Sequence, residues 1–145
     1  MTRKLSDIMS RDIISARPSD SIGEVAAKMR DNKIGFIPII DQGKLSGVVT
    51  DRDLAVRGYA DRIPDNVPVS EVMTRQCITI NANATADDAV RLMSKEKIRR
   101  LCIIKDGRLE GVVAIGDLAA RHQFISEAGH ALSDISTPTR QQLLQ

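Results

Sequence analysis

Gly47-Val48-Val49-Thr50-Asp51-Arg52-Asp53 is the stretch on which the reading of this chain turns. The β-branched pair Val48-Val49 marks the end of a buried strand. A hydroxyl, two carboxylates and a guanidinium follow at a helix start. Thr50 as N-cap with Asp53 three residues on is a variant capping box, with Asp in place of Glu or Gln. The same groups are those a site uses to hold a ribose and a phosphate. Seven residues alone leave both readings open.

The stretch recurs. Gly47-Val48-Val49 maps onto Gly111-Val112-Val113, and Asp53-Leu54-Ala55 onto Asp117-Leu118-Ala119, 64 positions later. The register holds without a gap from Leu5–Arg57 to Val69–Arg121, with Met9/Met73, Met29/Met93, Lys33/Lys97, Ile39/Ile103, Gly43/Gly107 and Arg57/Arg121 among the identical pairs. A shared period of this length signals two copies of one structural unit. Two copies are too few for an open solenoid and are expected to close on each other as a pseudo-twofold pair.

Outward from the motif, each copy reads strand–helix–strand–strand–helix, an α+β pattern. In the first, an extended segment around Ile13–Ala16 leads to a helix capped by Ser21 and Glu24, with Ile22, Val25, Ala26 and Met29 inward. A strand over Ile34–Ile40 contains Pro38, which argues for an edge position or for backbone groups left out of the ladder. The turn Asp41-Gln42-Gly43-Lys44 leads to a returning strand, Leu45–Val49, and a helix from Thr50 to about Arg57 with Gly58 as its stop.

The second copy repeats this: extended around Cys77–Ile80, a helix capped by Thr85 and Asp88 with Ala86, Ala89, Val90 and Met93 inward, strands Ile98–Ile104 and Leu109–Val113, and a helix from about Gly116. The division is a first repeat over 1–60, a linker over 61–68 that contains Pro64 and Pro68, a second repeat over 69–124 and a tail over 125–145. The tail, weakly helical over Phe124–Leu132, reads as an arm available for dimer contacts.

Composition narrows the function. With no Trp, one Tyr and two Phe among 145 residues, the core must be aliphatic. A formal charge of +2 without a Lys/Arg stripe gives no case for nucleic acid. No signal-peptide pattern opens the chain and no apolar run reaches the roughly 18 residues of a membrane span, so a cytoplasmic protein is expected. Cys77 and Cys102 sit in apolar runs without metal-ligand spacing and read as reduced core residues. His122 and His130 have no partner at ligand spacing. There is no nucleophile–base–orienter set and no phosphate loop ending in Lys, so no enzyme is expected.

With the repeat established, the chain resembles a tandem pair of CBS domains, or Bateman module, over roughly Leu5–Gln123. The markers are Ile34-Gly-Phe-Ile-Pro38-Ile-Ile and Gly47–Asp53 in the first copy, and Ile98-Arg-Arg-Leu-Cys102-Ile-Ile and Gly111-Val-Val-Ala114-Ile-Gly-Asp117 in the second. The resemblance implies a regulatory module that binds AMP, ADP, ATP or another adenosine-containing ligand in clefts between the repeats, with no required cofactor and no metal.

Carried over by position, the principal cleft would use Thr50, Arg52 and Asp53 for ribose and phosphate. Ile78, Thr79, Ile98, Leu101 and Cys102 would form its adenine slot, with Arg99 and Arg100 available to phosphate. Cys102 departs from the family's frequent Pro. A second, weaker cleft would use Ser15, Ala16, Ile37, Pro38 and Asp117, where Ala114 lacks the hydroxyl and Gly116 the guanidinium. The chemistry is apt: a carboxylate accepts from both ribose hydroxyls, arginines fork onto phosphate, and a helix N-terminus at Thr50 favours an anion. Asp117 persisting without a threonine speaks against a role in capping alone.

The resemblance further implies a homodimer and an unidentified regulated protein. The alternatives are an assembly scaffold without a physiological nucleotide, and a sensor of S-adenosylmethionine or an NAD-type ligand.

Overall fold

In the computed structural model, which describes residues 3–120 and residue 135, each copy is built around a tight hairpin. The first copy contributes α1 (Ile22–Asn32), β1 (Phe36–Asp41), β2 (Lys44–Thr50) and α2 (Asp51–Asp53), which continues as a π-helical stretch over Leu54–Tyr59. The second contributes β3 (Thr79–Asn81), α3 (Ala86–Glu96), β4 (Arg100–Lys105), β5 (Arg108–Ala114) and α4 (Ile115–Ala119). Gln42-Gly43 at φ 51° and 80°, and Asp106-Gly107 at 53° and 77°, give both hairpins two-residue turns with two positive φ angles. Such turns match the right-handed twist of the strands and fix their register. Asp41 therefore faces Lys44; a register shift between Ile39 and Ile40 then displaces the pairing by one, so that Phe36 faces Thr50 at the hairpin's open end.

Capping and periodicity set the helices. The Ser21 hydroxyl accepts the Glu24 amide at 3.1 Å, and α1 buries Ile22, Val25 and Met29; Ala26, expected inward, is exposed. Thr85 and Asp88 form a reciprocal box, and α3 buries Ala86, Ala89, Val90 and Met93 as the spacing predicts. Lys33 and Lys97, each left-handed, end α1 and α3 where glycine would be the ordinary signal. Gly58 stops nothing: it is buried within the π-helical turn, and the helix runs on to Tyr59.

Pro38 is not on a bare edge. β1 pairs with β2 on one side, and on the other Ala16 bridges Ile39 in parallel, donating to the Pro38 carbonyl at 3.1 Å while its own carbonyl accepts from Ile40 at 2.8 Å. The segment expected as a strand around Ile13–Ala16 is reduced to that isolated bridge. At the equivalent place β3 pairs with β4 over three residues, Thr79 opposite Cys102 through Asn81 opposite Ile104. Two prolines account for the shorter pairing in the first copy: Pro38 has no N–H where Cys102 has one, and Pro18 has none where Ala82 donates to Ile104 O at 3.0 Å.

The described chain divides into two compact units. Among the described residues, one holds 12–77 with 106–109; the other holds 3–11, 78–105, 110–120 and 135. Each takes its lead-in segment from the start of the other copy. The 3₁₀ turn Leu5–Asp7 lies on the second copy, with Leu5 N donating to Ala84 O (2.9 Å) and Ser10 pairing with Val112. The 3₁₀ turn Val69–Glu71 lies on the first, with Val69 N donating to Asp20 O (2.7 Å) and Thr74 pairing with Val48.

The cores are aliphatic, as composition requires. Val25, Ile37, Ile39, Val49, Val69 and Val72 fill one, and Leu5, Met93, Leu101, Ile103, Val113 and Leu118 the other, all fully buried. Ile135 packs against the latter. The expected helix over Phe124–Leu132, Arg121 and the two histidines lie outside the described residues.

Candidate functional site

The Thr50–Asp53 turn is pinned from behind. Val49 is fully buried, and Val48 exchanges both backbone hydrogen bonds with Thr74 at 2.9 and 2.8 Å. A Cβ at Gly47 would lie 2.6 Å from the Thr74 carbonyl oxygen and 3.2 Å from Met73 Sδ. The glycine of the motif is thus a close-approach position for the lead-in segment. Gly111 stands in the same relation to Met9 Sδ (2.6 Å) and the Ser10 carbonyl (2.7 Å).

The capping reading holds in full at the first motif. Thr50 Oγ1 accepts the Asp53 amide at 3.1 Å, and Asp53 Oδ2 accepts the Thr50 amide at 2.9 Å. The Asp51 amide donates to Gly35 O at 3.0 Å, and the Arg52 amide to Asp51 Oδ1 at 2.9 Å. All four amides at this helix start are therefore engaged. The expectation that they would favour a phosphate is corrected: an anion here must be met by side chains. The groups that remain are the Thr50 hydroxyl proton, the exposed Arg52 and Asp53 Oδ1. The Asp53 side chain is 16% exposed, and its Oδ1 lies 3.9 Å from Arg57 Nε.

The second motif is half a box. Ala114 offers no oxygen, yet its amide donates to Asp117 Oδ2 at 3.3 Å, and the Ile115 amide donates to Arg99 O at 2.8 Å. Asp117 thus has a structural use without a threonine, and its persistence is no argument against capping. Its side chain is exposed.

The other candidates separate by unit. With Thr50, Arg52 and Asp53 go Ser15, Ala16, Ile37 and Pro38; Ile78, Thr79, Ile98, Arg99, Arg100, Leu101, Cys102 and Asp117 belong to the other unit. Ile37 and Leu101, expected to line adenine slots, are fully buried members of the two cores, so their side chains face away from any ligand. Ile98 is half-buried against the second core. Alternation along β4 turns Cys102, itself buried, to the opposite face from Leu101 and Ile103. Thr79 is exposed beside it in register, Ile78 is 36% exposed, and Arg99 and Arg100 reach solvent. Burial raises the Cys77 thiol above its ordinary pKa, against a reactive thiolate. Neither described cysteine forms a disulfide.

Two features escaped the sequence. A polar groove of about 570 Å³ is lined by Ser15, Ala16, Arg17, Asp20, Glu24, Lys28, Ile40, Gln42 and Gly43. Its charges already answer one another: Lys28 Nζ donates to Ser15 O at 2.8 Å and lies 3.8 Å from Asp20, which also accepts the Arg17 amide at 2.9 Å. The other is Arg57, visible only as one of the identical pairs. Among the described residues no cluster of three or more His, Cys, Asp or Glu could hold a metal, and no helix is long and apolar enough to cross a membrane.

Comparison with known proteins bears on the same residues. The family model of the CBS domain matches residues 5–57 and again 69–122. A CBS domain-containing protein of Bacillus subtilis, YhcV, is 39% identical over 132 residues, covering 91% of this chain and 94% of its own. Among solved structures, the CBS domain protein NE2398 superposes with a TM-score of 0.76 at 27% identity, over 85% of this chain and 99% of that one. The CBS domain pair of protein MJ0100, in complex with 5′-methylthioadenosine and S-adenosyl-L-methionine, gives 0.74 at 30% identity, over 85% and 98%.

Proposed function

The chain belongs to the CBS domain family, with two such domains in tandem, and from that premise we propose that it is a non-enzymatic sensor of an adenosine-containing ligand whose ribose is gripped by Asp53. The observation that carries this reading is the division of labour within one carboxylate. Oδ2 is fixed by the Thr50 amide, while Oδ1 keeps its lone pairs in a side chain that still reaches solvent. A carboxylate oxygen held in this way is prepared to accept from a ribose hydroxyl, a charge-assisted bond.

The adenine is read by the exposed Ile78–Thr79 strand, and any phosphate by the guanidinium groups of Arg52, Arg99 and Arg100. The Ser15, Ala16, Pro38 and Asp117 set takes a ligand more weakly, since Ala114 brings no hydroxyl. Occupancy acts through different ligand affinity in two arrangements of a homodimer or of a complex with a regulated protein.

A second reading has its own support. With all four amides of the Thr50–Asp53 turn engaged, an adenosine ligand without phosphate is as well served as a nucleotide, and MJ0100 holds two of that kind.

Isothermal titration with AMP, ADP, ATP and S-adenosylmethionine tests both readings. Asp53→Ala should weaken binding by about tenfold or more, the value of a hydrogen bond to a charged group, and Asp117→Ala by less. Equal effects or the reverse order would reassign the principal site. No binding of any of the four at millimolar concentration would favour an assembly scaffold.

A further inference from the structure

We infer that Arg57 is a positioning residue for the nucleoside, aiming the open oxygen of Asp53 at the ribose hydroxyls; the inference rests on the adenosine reading above. The guanidinium is held at two points. Its Nη1 donates to the carbonyl oxygens of Met73 (3.4 Å) and Val72 (3.5 Å), and its Nε faces Asp53 Oδ1 at 3.9 Å.

The anchor is firm. Val72 is fully buried and Met73 is 5% exposed, with Met73 Sδ lying against Gly47 and the next residue, Thr74, doubly bonded to Val48. The lead-in segment that fixes the strand end of the motif therefore also fixes the arginine that faces its carboxylate. Each Asp53 oxygen has a different keeper: the Thr50 amide for Oδ2, and the Arg57 charge for Oδ1.

The distance matters to the role. At 3.9 Å, beyond even the long 3.4 and 3.5 Å bonds to the two carbonyls, the arginine exerts charge attraction on Oδ1 without a hydrogen bond. Oδ1 is thus directed while its lone pairs stay available. An ordinary i,i+4 pair on a helix face would account for the contact with Asp53. It does not account for the second attachment to carbonyls 15 and 16 residues further along the chain.

The test compares AMP with 2′-deoxy-AMP, by calorimetry, on the whole protein and on Arg57→Gln, Arg57→Lys and Asp53→Asn. The parent protein should prefer AMP by about tenfold, one hydrogen bond to a charged acceptor. Arg57→Gln should reduce that preference to less than about threefold while its melting temperature stays near the parent's. Arg57→Lys, which keeps the charge but not the fork, should fall between.

A purely structural arginine would lower affinity for both ligands alike and leave the ratio unchanged. The parent's full preference persisting in Arg57→Gln, while Asp53→Asn loses it, overturns the role of Arg57 and leaves the ribose reading standing. If Arg57→Gln fails to fold, the ratio in Arg57→Lys is read in the same way. A parent protein with no preference or no affinity for AMP, or an Asp53→Asn variant that keeps the preference, overturns both.

Discussion

Gly47→Ala puts the origin of the motif's glycine to the test. A Cβ there would sit 2.6 Å from the Thr74 carbonyl oxygen, where ordinary contact begins near 3.4 Å, so the lead-in segment must retreat by most of an ångström. Thr74 cannot retreat alone, because it exchanges hydrogen bonds of 2.9 and 2.8 Å with Val48. Losing that two-bond bridge costs about 1–3 kcal/mol at roughly 0.5–1.5 kcal/mol per bond, the same range that overpacking a core gives. Met73 Sδ, at 3.2 Å, is the flexible end of a side chain and can give way without changing this figure.

Urea unfolding of Gly47→Ala should show a loss of that size, or a fall in melting temperature of about 2–4 °C per kcal/mol for a chain of this length. Gly111→Ala should behave alike, since the Ser10 carbonyl lies 2.7 Å from its Cβ position. Gly116→Ala is the control. It adds a methyl group that meets nothing within 4 Å among the described residues, in a helix, and should stabilise by about 0.4–1 kcal/mol. A Gly47→Ala protein within about 0.5 kcal/mol of the parent would refute the close-approach account and return the glycine to the ligand.

Two more expectations follow from packing and capping. Leu5→Ala removes a fully buried side chain from the core of the second copy and should cost about 2–5 kcal/mol. Hydrogen exchange should show the greatest loss of protection in β3–β5 and α3; a loss centred on β1 and β2 would contradict the placement of the lead-in segment. Asp88 is held below the usual carboxylate pKa by the Thr85 backbone amide and then its hydroxyl. Its stabilising effect is therefore complete above the ordinary value of about 3.9 and is lost as pH falls through the lowered one. The stability gap between the parent and Asp88→Asn should be open at pH 6 and closed in strong acid. A gap independent of pH would show that Asp88 gains nothing from its charge.

The features legible in the sequence were those set by local rules. The 64-residue repeat, the Thr50/Asp53 and Thr85/Asp88 boxes, the hairpin turns at Gly43 and Gly107, and the α3 stripe all follow from spacing and residue type. What stayed hidden depends on which copy a segment serves. Leu5 and Val69 occupy the same register position, so the repeat cannot reveal that each packs in the core of the other copy. At Pro38 only the edge reading fails: the missing N–H does leave a gap in the ladder, as the other reading has it, while the carbonyl still takes the Ala16 amide. Gly58 misled because glycine ends helices only where φ turns positive, and here it does not. Ile37 and Leu101 were named as slot walls from a motif that does not distinguish the two faces of a strand.

The candidate site shows a deeper form of the same difficulty. Capping and ribose recognition ask for the same residue types, and at Asp53 the cap is present in full. The two roles are nevertheless compatible, because a carboxylate has two oxygens and the cap uses one. The choice of substitution then decides what an experiment can say. Asp53→Ala removes the acceptor of the Thr50 amide as well as the ribose acceptor, so a loss of binding could reflect a loosened helix start. Asp53→Asn keeps a carbonyl oxygen for the Thr50 amide while its NH₂ faces where Oδ1 stood, close to Arg57. If Asp53→Asn matches the parent in unfolding yet no longer distinguishes AMP from its 2′-deoxy form, the open oxygen is the ligand's. If it loses stability and leaves that ratio intact, the residue serves its own helix alone.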